Sequence, residues 1–351
     1  MTAQLAQTKL LYATLIMVVS KMDNTQKSNR LENFPISFFS VIMGLSGLAI
    51  AWGKAQSIFG FDFHINTILV GITSLVFIIL LVLYAIKIVK YAPSVAKELA
   101  HPVKLSFFPS ISISFLLLSI AYLDVNMAIS RPLWMIGIAL HLPFTLYIIN
   151  KWMHHEHFKV NHINPAWFIP AVGNMLVPIA GMVHGYADIS WFFFSIGFMF
   201  WVVLMTIFFN RVLFHNPMDA HLLPTLFILI APPAVGFIAY MRLNGGIDNF
   251  AQFLYFSALF LTLLLFSQAN RFIRLPFFLS WWAYTFPLAA ITIASFAFYE
   301  HKQNDFYLWL AGGLLALVTF IVVITILKTI KAIGKHGICV PEVPHPVAEE
   351  K

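Results

Sequence analysis

The sequence contains very little charge and almost no cysteine. Only 10% of its 351 residues are charged, whereas an ordinary soluble domain carries about 25%. The single cysteine, Cys339, excludes an internal disulfide framework and a CxxC metal site. No polar stretch is long enough to form a separate soluble domain. These shortages exclude a typical soluble protein and a disulfide-rich secreted domain.

Recognisable catalytic motifs are also missing. No G-x-S-x-G, P-loop or dinucleotide-binding motif lies between a strand pattern and a helix pattern. The one cluster of metal-ligand residue types is HHEH, His154 to His157. Histidine-box metalloenzymes need several such clusters, so we interpret this one as a loop that responds to pH. We therefore predict no enzyme activity, no cofactor and no metal site. A histidine-box metalloenzyme stays as an alternative interpretation, behind the two transport functions given below.

Long apolar runs make up most of the chain. Of all residues, 60% are hydrophobic, and the mean hydropathy is +0.85. Ten runs reach the length that a helix needs to cross the hydrocarbon layer. These predicted spans, 1 to 10, are residues 35–52, 65–86, 105–123, 132–149, 165–183, 189–209, 222–240, 250–267, 281–299 and 306–330. We predict an all-α membrane protein with ten transmembrane helices.

The chain divides into three parts on this interpretation. Residues 34–331 form the membrane domain, and residues 332–351 form a short cytoplasmic C-terminal tail. Residues 1–33 form a short cytoplasmic N-terminal tail, because the apolar run from Leu10 to Val19 is too short to span. No small-residue cleavage site follows that run, and the first 33 residues are alternatively an over-extended start.

Basic residues predict the orientation in the membrane. Seventeen of the 21 Lys and Arg residues fall on the side that contains both termini, and four fall on the other side. Basic loops stay on the cytoplasmic side of a membrane. We therefore expect both termini in the cytoplasm and the protein in a bacterial inner membrane. This distribution also explains the net charge of +7 without nucleic acid.

Acidic residues are absent from the interior of the predicted spans. All 14 lie in loops, in tails or at helix ends. A cation pore needs acidic rings, and ion-coupled carriers commonly bury carboxylates. The sequence therefore argues against a cation pore and weakens the case for a coupled carrier.

Prolines recur with the predicted spans. Every odd-numbered span contains at least one, and one proline per span recurs at a similar spacing. These recurring prolines are Pro35, Pro109, Pro170, Pro232 and Pro287, and Pro178 is a further one in span 5. Four of the five have a phenylalanine close by, at Phe34, Phe108, Phe168 and Phe286. Of the even spans, only span 4 contains proline, at Pro132 and Pro143. A proline frees a backbone carbonyl, which needs a partner from protein or water. We predict five helical hairpins whose proline-kinked helices form an inner ring around a pore.

The expected walls of this pore suit anions. They include the hydroxyls of Ser110 to Ser114, the amide of Asn174, and Thr285 and Ser295. Such groups donate hydrogen bonds without trapping an anion as a buried lysine would, and conduction requires release as well as entry. His141 stands alone inside span 4. It is either a neutral packing residue or a pH-sensing residue.

Four motifs in order resemble one known family. The motif WWAYTFPL, Trp281 to Leu288, resembles the ninth helix of the slow-type anion channels of plant guard cells, which are relatives of the bacterial TehA tellurite-resistance and dicarboxylate transporter family. The other motifs are HPVKLSFFP at 101–109, NPAWFIPAVGN at 164–174 and APPAVGFIAY at 231–240. The resemblance covers roughly residues 33–332.

The resemblance implies a pore within each protomer of a homotrimer. It also implies a phenylalanine of the ninth helix that plugs the pore, and the matching residue is Phe286. Substrates in such a family are small inorganic or organic anions of the chloride, nitrate or dicarboxylate class, and a tellurite-resistance phenotype is possible. The long tails of the plant channels have no counterpart here, so gating by phosphorylation does not carry over.

The sequence thus predicts an anion channel or channel-like transporter gated at Phe286. The alternative is a proton-coupled transporter for a dicarboxylate such as malate, in which His141 would be the first residue to examine.

Overall fold

The computed structural model describes residues 30–62, 64–154 and 158–340, and every regular element in them is a helix. We label ten apolar elements α1 to α10. They are Ile36–Phe59, Ile65–Lys90, Lys104–Tyr122, Met127–His154, Pro165–Gly181, Ala187–Phe214, Leu223–Asn244, Asn249–Phe266, Leu279–Lys302 and Asp305–Gly334. Nine of these described elements are long and apolar enough to span a membrane, and α5 is shorter. The predicted all-α membrane protein is confirmed.

Burial alternates along the chain. In α1, α3, α7 and α9, between 72% and 78% of the residues in the most apolar window are buried. In the even-numbered helices the share is 28% to 39%. All residues of α5 are buried. We call the five odd-numbered elements the inner segments and the five even-numbered ones the outer helices. The outer helices expose many large apolar side chains, as expected for helices that face lipid.

The contacts between elements follow the same alternation. Each inner segment contacts the next inner segment along the chain, and α9 contacts α1, so the five close a ring. Each inner segment also packs against the outer helix that follows it. The elements therefore pair as helical hairpins, with the inner member of each pair towards the centre of the bundle.

All five inner segments begin with a 3₁₀ turn. These turns are Ile36–Phe38, Lys104–Phe107, Pro165–Trp167, Leu223–Ile230 and Leu279–Tyr284, and regular α-helix follows each one. Runs of 3₁₀ helix longer than three or four residues are uncommon, so the eight residues in α7 and the six in α9 are unusual. The outer helices are continuous α-helix throughout.

Prolines account for part of this pattern. Pro109, Pro232 and Pro287 lie where the 3₁₀ turn passes into α-helix. A proline has no N–H to donate to the carbonyl four residues back, whereas a 3₁₀ turn bonds carbonyls to donors three residues ahead. Proline alone does not impose the turn, because α4 contains Pro132 and Pro143 and remains one helix.

The fifth span differs from its prediction as one continuous crossing helix. It consists of short α-helical pieces, Phe168–Val172 and Val177–Gly181, separated by the 3₁₀ turn Gly173–Leu176. Pro170 and Pro178 remove two helical donors within nine residues. The carbonyl of Pro170 accepts side-chain hydrogen bonds within this broken segment, from the Thr145 hydroxyl, at 2.9 Å, and from the Asn174 amide, at 3.1 Å.

Both ends of the described chain lie at the same end of the bundle. The guanidinium of Arg30 donates a hydrogen bond to the carbonyl of Ile333, at 3.0 Å. A short helix, Ala92–Ala100, joins α2 to α3 at this end. The first turns of all five inner segments lie here as well, so the inner segments run in one direction.

Candidate functional site

A cavity of about 1160 Å³ opens at the end of the bundle where Arg30 and Val340 lie. Every inner segment contributes to its wall, mainly through residues in the first half of that segment. The lining residue farthest along each inner segment, in the order α1, α3, α5, α7 and α9, is Met43, Ile113, Leu176, Val235 and Pro287. The cavity therefore follows the centre of the ring from one end to about half its length.

Polar groups surround the mouth of the cavity and apolar groups its deep end. Near the mouth the wall includes Ser37, Ser40, Ser94, Thr225 and Ser280. At the deep end the wall consists of the apolar side chains Met43, Ile113, Val172, Leu176, Val235 and Phe286. A hydrated solute that enters the mouth therefore meets hydroxyls first and an uncharged apolar constriction last.

Charged residues are confined to the mouth. Three lysines, Lys87, Lys97 and Lys104, line the cavity together with two glutamates, Glu32 and Glu98. One glutamate forms an ion pair with one lysine, because the ammonium of Lys87 lies 3.0 Å from Oε2 of Glu98. The net charge of the other charged lining residues, Lys97, Lys104 and Glu32, is positive.

The Lys87–Glu98 pair is buried, with 1% and 8% of the side chains exposed. The Lys87 ammonium also donates to the carbonyl of Phe34, at 2.8 Å, and the Tyr84 hydroxyl donates to Glu98, at 2.9 Å. A buried ion pair is stable only when further hydrogen bonds satisfy its atoms. This cluster ties the start of α1, the end of α2 and the short helix Ala92–Ala100 together at the mouth.

The last described residues of the chain also reach the mouth. Gly337 to Val340 form part of the cavity wall. Burial raises the pKa of the Cys339 thiol, while the charges of Arg30 and Lys87 act in the opposite direction. Arg30 and Lys87 are therefore both close enough to act on this thiol at the mouth.

The N-termini of the inner segments add to that charge. All five segments begin at the mouth and point away from it. A helix N-terminus carries unpaired N–H groups and about half a positive elementary charge. Five such ends around one opening favour an anion there without a buried cation in the passage.

Five of the residues singled out in the sequence line this cavity, and six do not. Those in the wall are Pro35, Phe168, Pro232, Phe286 and Pro287. Those outside it are Phe34, Phe108, Pro109, Pro170, Pro178 and His141. The structure thus brings together residues from α1, α5, α7 and α9 and leaves those of α3 behind the wall.

The six other residues make contacts outside the cavity lining. Phe34 stacks on Phe38 with ring centroids 4.7 Å apart, and Phe108 lies edge-on to Tyr84 at 6.3 Å. The carbonyl of Pro109 accepts from the Ser112 hydroxyl, at 2.8 Å. The carbonyl of Pro178 accepts from the N–H of Met182, at 3.0 Å.

His141 is completely buried between α4 and the ring. Its Nδ1 lies 2.8 Å from the Ser112 hydroxyl, which itself donates to Pro109. Since a hydroxyl has one proton, Nδ1–H of the histidine is the donor in this contact. Nε2 then carries no proton, and it has no hydrogen-bond partner. A Cβ on Gly173, a wall residue, would lie 2.8 Å from that atom. His141 therefore packs against Gly173, which lines the cavity.

The predicted polar wall is wrong for the central residues. Ser110, Ser112, Ser114, Asn174, Thr285 and Ser295 are fully buried and outside the cavity lining. Most of these polar groups bond to nearby backbone instead; for example, the Thr285 hydroxyl donates to the carbonyl of Trp282 at 2.7 Å. The Ser295 hydroxyl accepts from the Tyr255 hydroxyl, at 3.2 Å. Sequence reasoning also missed the Lys87–Glu98 pair, because Lys87 is indistinguishable in sequence from a cytoplasmic flanking charge.

Comparison with known proteins identifies relatives along nearly the whole chain. The family model described as "SLAC1: Voltage-dependent anion channel" matches residues 33–330. An uncharacterized transporter, MJ0762, of Methanocaldococcus jannaschii is 26% identical over 332 residues, which cover 86% of this chain and 96% of the relative.

Two further relatives have names that state a function. The S-type anion channel SLAH2 of Arabidopsis thaliana is 30% identical over 296 residues, 82% of this chain and 56% of the relative. The tellurite resistance protein TehA homolog of Haemophilus influenzae is 26% identical over 271 residues, 76% of this chain and 81% of the relative. The chain thus corresponds to about half the length of the plant channel.

Proposed function

The chain belongs to the SLAC1 family of voltage-dependent anion channels, and on that premise we propose that its inner segments enclose an anion conduit that the Phe286 side chain closes. The resemblance noted in the sequence to plant anion channels and TehA proteins is confirmed. The protein is a multi-pass membrane protein with prokaryotic transporter relatives. The conduit, the gate and the choice of anion are the proposal.

The shape of the cavity is the observation that carries this proposal. It enters the ring from one end, touches all five inner segments and ends beside Phe286 and Pro287. Phe286 is 9% exposed, so one part of its phenyl ring faces the cavity while the rest is packed. A solute that travels along the ring axis meets this aromatic side chain at the point where the cavity ends.

Electrostatics support an anion as the solute. The lysines and the five helix N-termini at the mouth raise the local concentration of anions. The deep wall offers no fixed charge to bind them tightly. Weak binding permits release, and release is needed for conduction. Chloride and nitrate are the anions that we propose first, with dicarboxylates as a second class.

The test is chloride current across a planar bilayer that contains the purified protein. Wild-type protein should conduct little, because the cavity ends at Phe286. We expect Phe286→Ala to raise the current at least about tenfold, since a two-state gate needs a bias of only about 1.4 kcal/mol for that change. The reversal potential should follow the chloride gradient.

Phe296→Ala is the matched control. Phe296 lies in the same helix and is fully buried, but it contacts Phe59 and does not line the cavity. Its substitution should lower stability without raising the current. Equal currents from both variants would show a leak caused by lost packing. Silence of wild type and Phe286→Ala, with both correctly inserted, would contradict the channel.

One observation favours the alternative of a proton-coupled dicarboxylate transporter. The unprotonated, unpartnered Nε2 of His141 lies directly behind the cavity wall at Gly173. It is the group in this region of the described structure that a proton would occupy in a pH-sensing or coupled mechanism. In sealed vesicles, an acid-driven accumulation of malate that His141→Asn abolishes would support this alternative. Malate flux that only follows its own gradient would contradict it.

Orientation and assembly complete the proposal. The distribution of Lys and Arg supports cytoplasmic ends in an inner membrane, and in that orientation the mouth of the cavity faces the cytoplasm. The exposed apolar faces of the outer helices are available to lipid and to other protomers of a homotrimer. Labelling of Cys339 from the cytoplasmic side only, and a trimer mass in native mass spectrometry, are the expected results.

A further inference from the structure

The side chain of Phe286 contacts α1 at a glycine. A Cβ placed on Gly47 would lie 3.3 Å from Cδ2 of Phe286 and 3.8 Å from its Cα. It would also lie 2.9 Å from the Cβ of Ala289, one turn further along α9. Contacts below 3.0 Å essentially never occur for a real Cβ, so α9 approaches α1 closely because residue 47 has no side chain.

This contact lies immediately beyond the deep end of the cavity. Met43, one turn before Gly47, is the deepest residue of α1 in the wall, and Gly47 is buried outside it. The Phe286 ring therefore has the cavity on one side and the bare backbone of α1 on the other. A flat ring covers a passage only if the opposite wall lets it approach, and a glycine allows the closest approach.

A neighbouring glycine makes a different contact. A Cβ on Gly44 would collide with the hydroxyl of Thr285 and approach the ring of Trp282. Gly44 therefore sets the distance between α1 and α9 one turn nearer the mouth. The three atoms nearest to a Cβ at this position belong to Thr285 and Trp282, and none belongs to Phe286. The contact with the Phe286 side chain belongs to Gly47.

We propose that Gly47 is a positioning residue for the gate: its bare backbone is the surface against which the Phe286 ring lies when the conduit is closed. This inference rests on the proposed function. A methyl group at residue 47 occupies the space that the ring edge needs, so it displaces the ring and leaves the conduit partly open.

The experiment measures chloride current in planar bilayers for single and combined variants, each normalised to the amount of inserted protein. Gly47→Ala should raise the current about fivefold over wild type, as expected for a gate equilibrium shifted by one added methyl group. Gly47→Ala combined with Phe286→Ala should conduct like Phe286→Ala alone, because the ring is already absent. Gly312→Ala in α10, where an added Cβ meets nothing within 4 Å, should match wild type.

A second variant separates the ring from the spacing of the helices. Ala289→Gly removes the atom that lies 2.9 Å from the added methyl group and so relieves the tightest collision. Gly47→Ala with Ala289→Gly should therefore insert normally and still conduct more than Ala289→Gly alone. A return to the wild-type current in this pair would show that the methyl group acts by separating α1 from α9, and would overturn the proposal.

The remaining outcomes are equally decisive. If Phe286→Ala conducts and Gly47→Ala does not, the gate stands and the role of Gly47 is wrong. If Gly47→Ala raises the current by the same factor with and without Phe286, the residue acts independently of the ring and the proposal fails. If Phe286→Ala is silent, the proposed function and the role of Gly47 fail together.

Discussion

The inner segments and the outer helices are both strongly apolar, but their backbones differ. Inner segments begin with 3₁₀ turns, contain eight of the ten prolines in these elements and are buried on nearly all sides. Outer helices are regular, and only 28% to 39% of the residues in their apolar window are buried. The ability to cross a membrane therefore comes from hydrophobic length alone, whereas a place in the ring requires an irregular backbone with partners for its freed carbonyls.

The largest difference is expected for the removal of a leucine side chain. Leu117 in α3 is 1% exposed, and Leu146 in α4 is 61% exposed. Leu117→Ala leaves a cavity in the ring and should cost about 2–5 kcal/mol of stability. Leu146→Ala loses contacts with lipid only and should cost less than about 0.5 kcal/mol. Unfolding in detergent by a graded denaturant measures both, and equal costs would break the distinction between ring and periphery.

A smaller difference is expected for the addition of one methyl group. A Cβ on Gly137 of α4 would lie 2.7 Å from Leu116 in α3, while one on Gly313 of α10 would meet nothing within 4 Å. Gly137→Ala should therefore cost about 1–3 kcal/mol through overpacking. Gly313→Ala should be neutral or slightly stabilising. The same unfolding assay applies, and destabilisation by Gly313→Ala would reveal a contact surface on α10.

Proline removal tests the cause of the 3₁₀ turns. Pro287→Ala restores an N–H group at the junction in α9, so we expect Leu279–Tyr284 to rewind towards α-helix. Pro143→Ala in the already continuous α4 should leave its backbone unchanged. Each should change stability by less than about 1 kcal/mol. Cryo-electron microscopy of both variants gives the answer; a 3₁₀ turn that persists in Pro287→Ala would assign its origin to packing.

The smallest effect concerns pH at the end of the bundle opposite the mouth. His184, in the loop after α5, lies 3.0 Å from the hydroxyl of Ser130 in α4. Burial, and then the charge of Arg131, lower the pKa of His184 below its ordinary value. The neutral form is favoured in the folded state, so stability should fall as the pH drops below about 6.5, where the unfolded histidine takes up a proton.

His184→Gln should remove the part of the stability change between pH 7 and pH 5 that comes from protonation of His184. Thermal unfolding at a series of pH values measures it. An unchanged slope in the variant would attribute the acid sensitivity to another group.

Much of the fold was predictable because hydrophobic length and proline position are local properties. The apolar runs located every element from α1 to α10, and the prolines concentrate in the segments that the structure buries. The break in α5 was less visible, since it depends on Pro170, Gly173 and Pro178 acting together. The continuity of α4 shows that a proline by itself does not reveal the local backbone.

The candidate site was predictable only in part, because its walls depend on tertiary packing. Phe286 and Pro287 were found through a motif and lie at the deep end of the cavity. The hydroxyls of α3 have the right chemistry but face their own backbone, a choice that depends on helix rotation. The contacts of Lys87 with Glu98 and of Gly47 with Phe286 join residues far apart in sequence, and no local pattern marks them.

The common direction of the inner segments has a consequence for how cargo crosses. Many carriers consist of inverted repeats, and they expose one central site to each side of the membrane in turn by exchanging the conformations of two halves. Five inner segments that all run in one direction have no inverted counterpart with which to exchange. Such a ring transports most simply by moving a local obstruction, so its two membrane faces stay chemically distinct during the whole transport cycle.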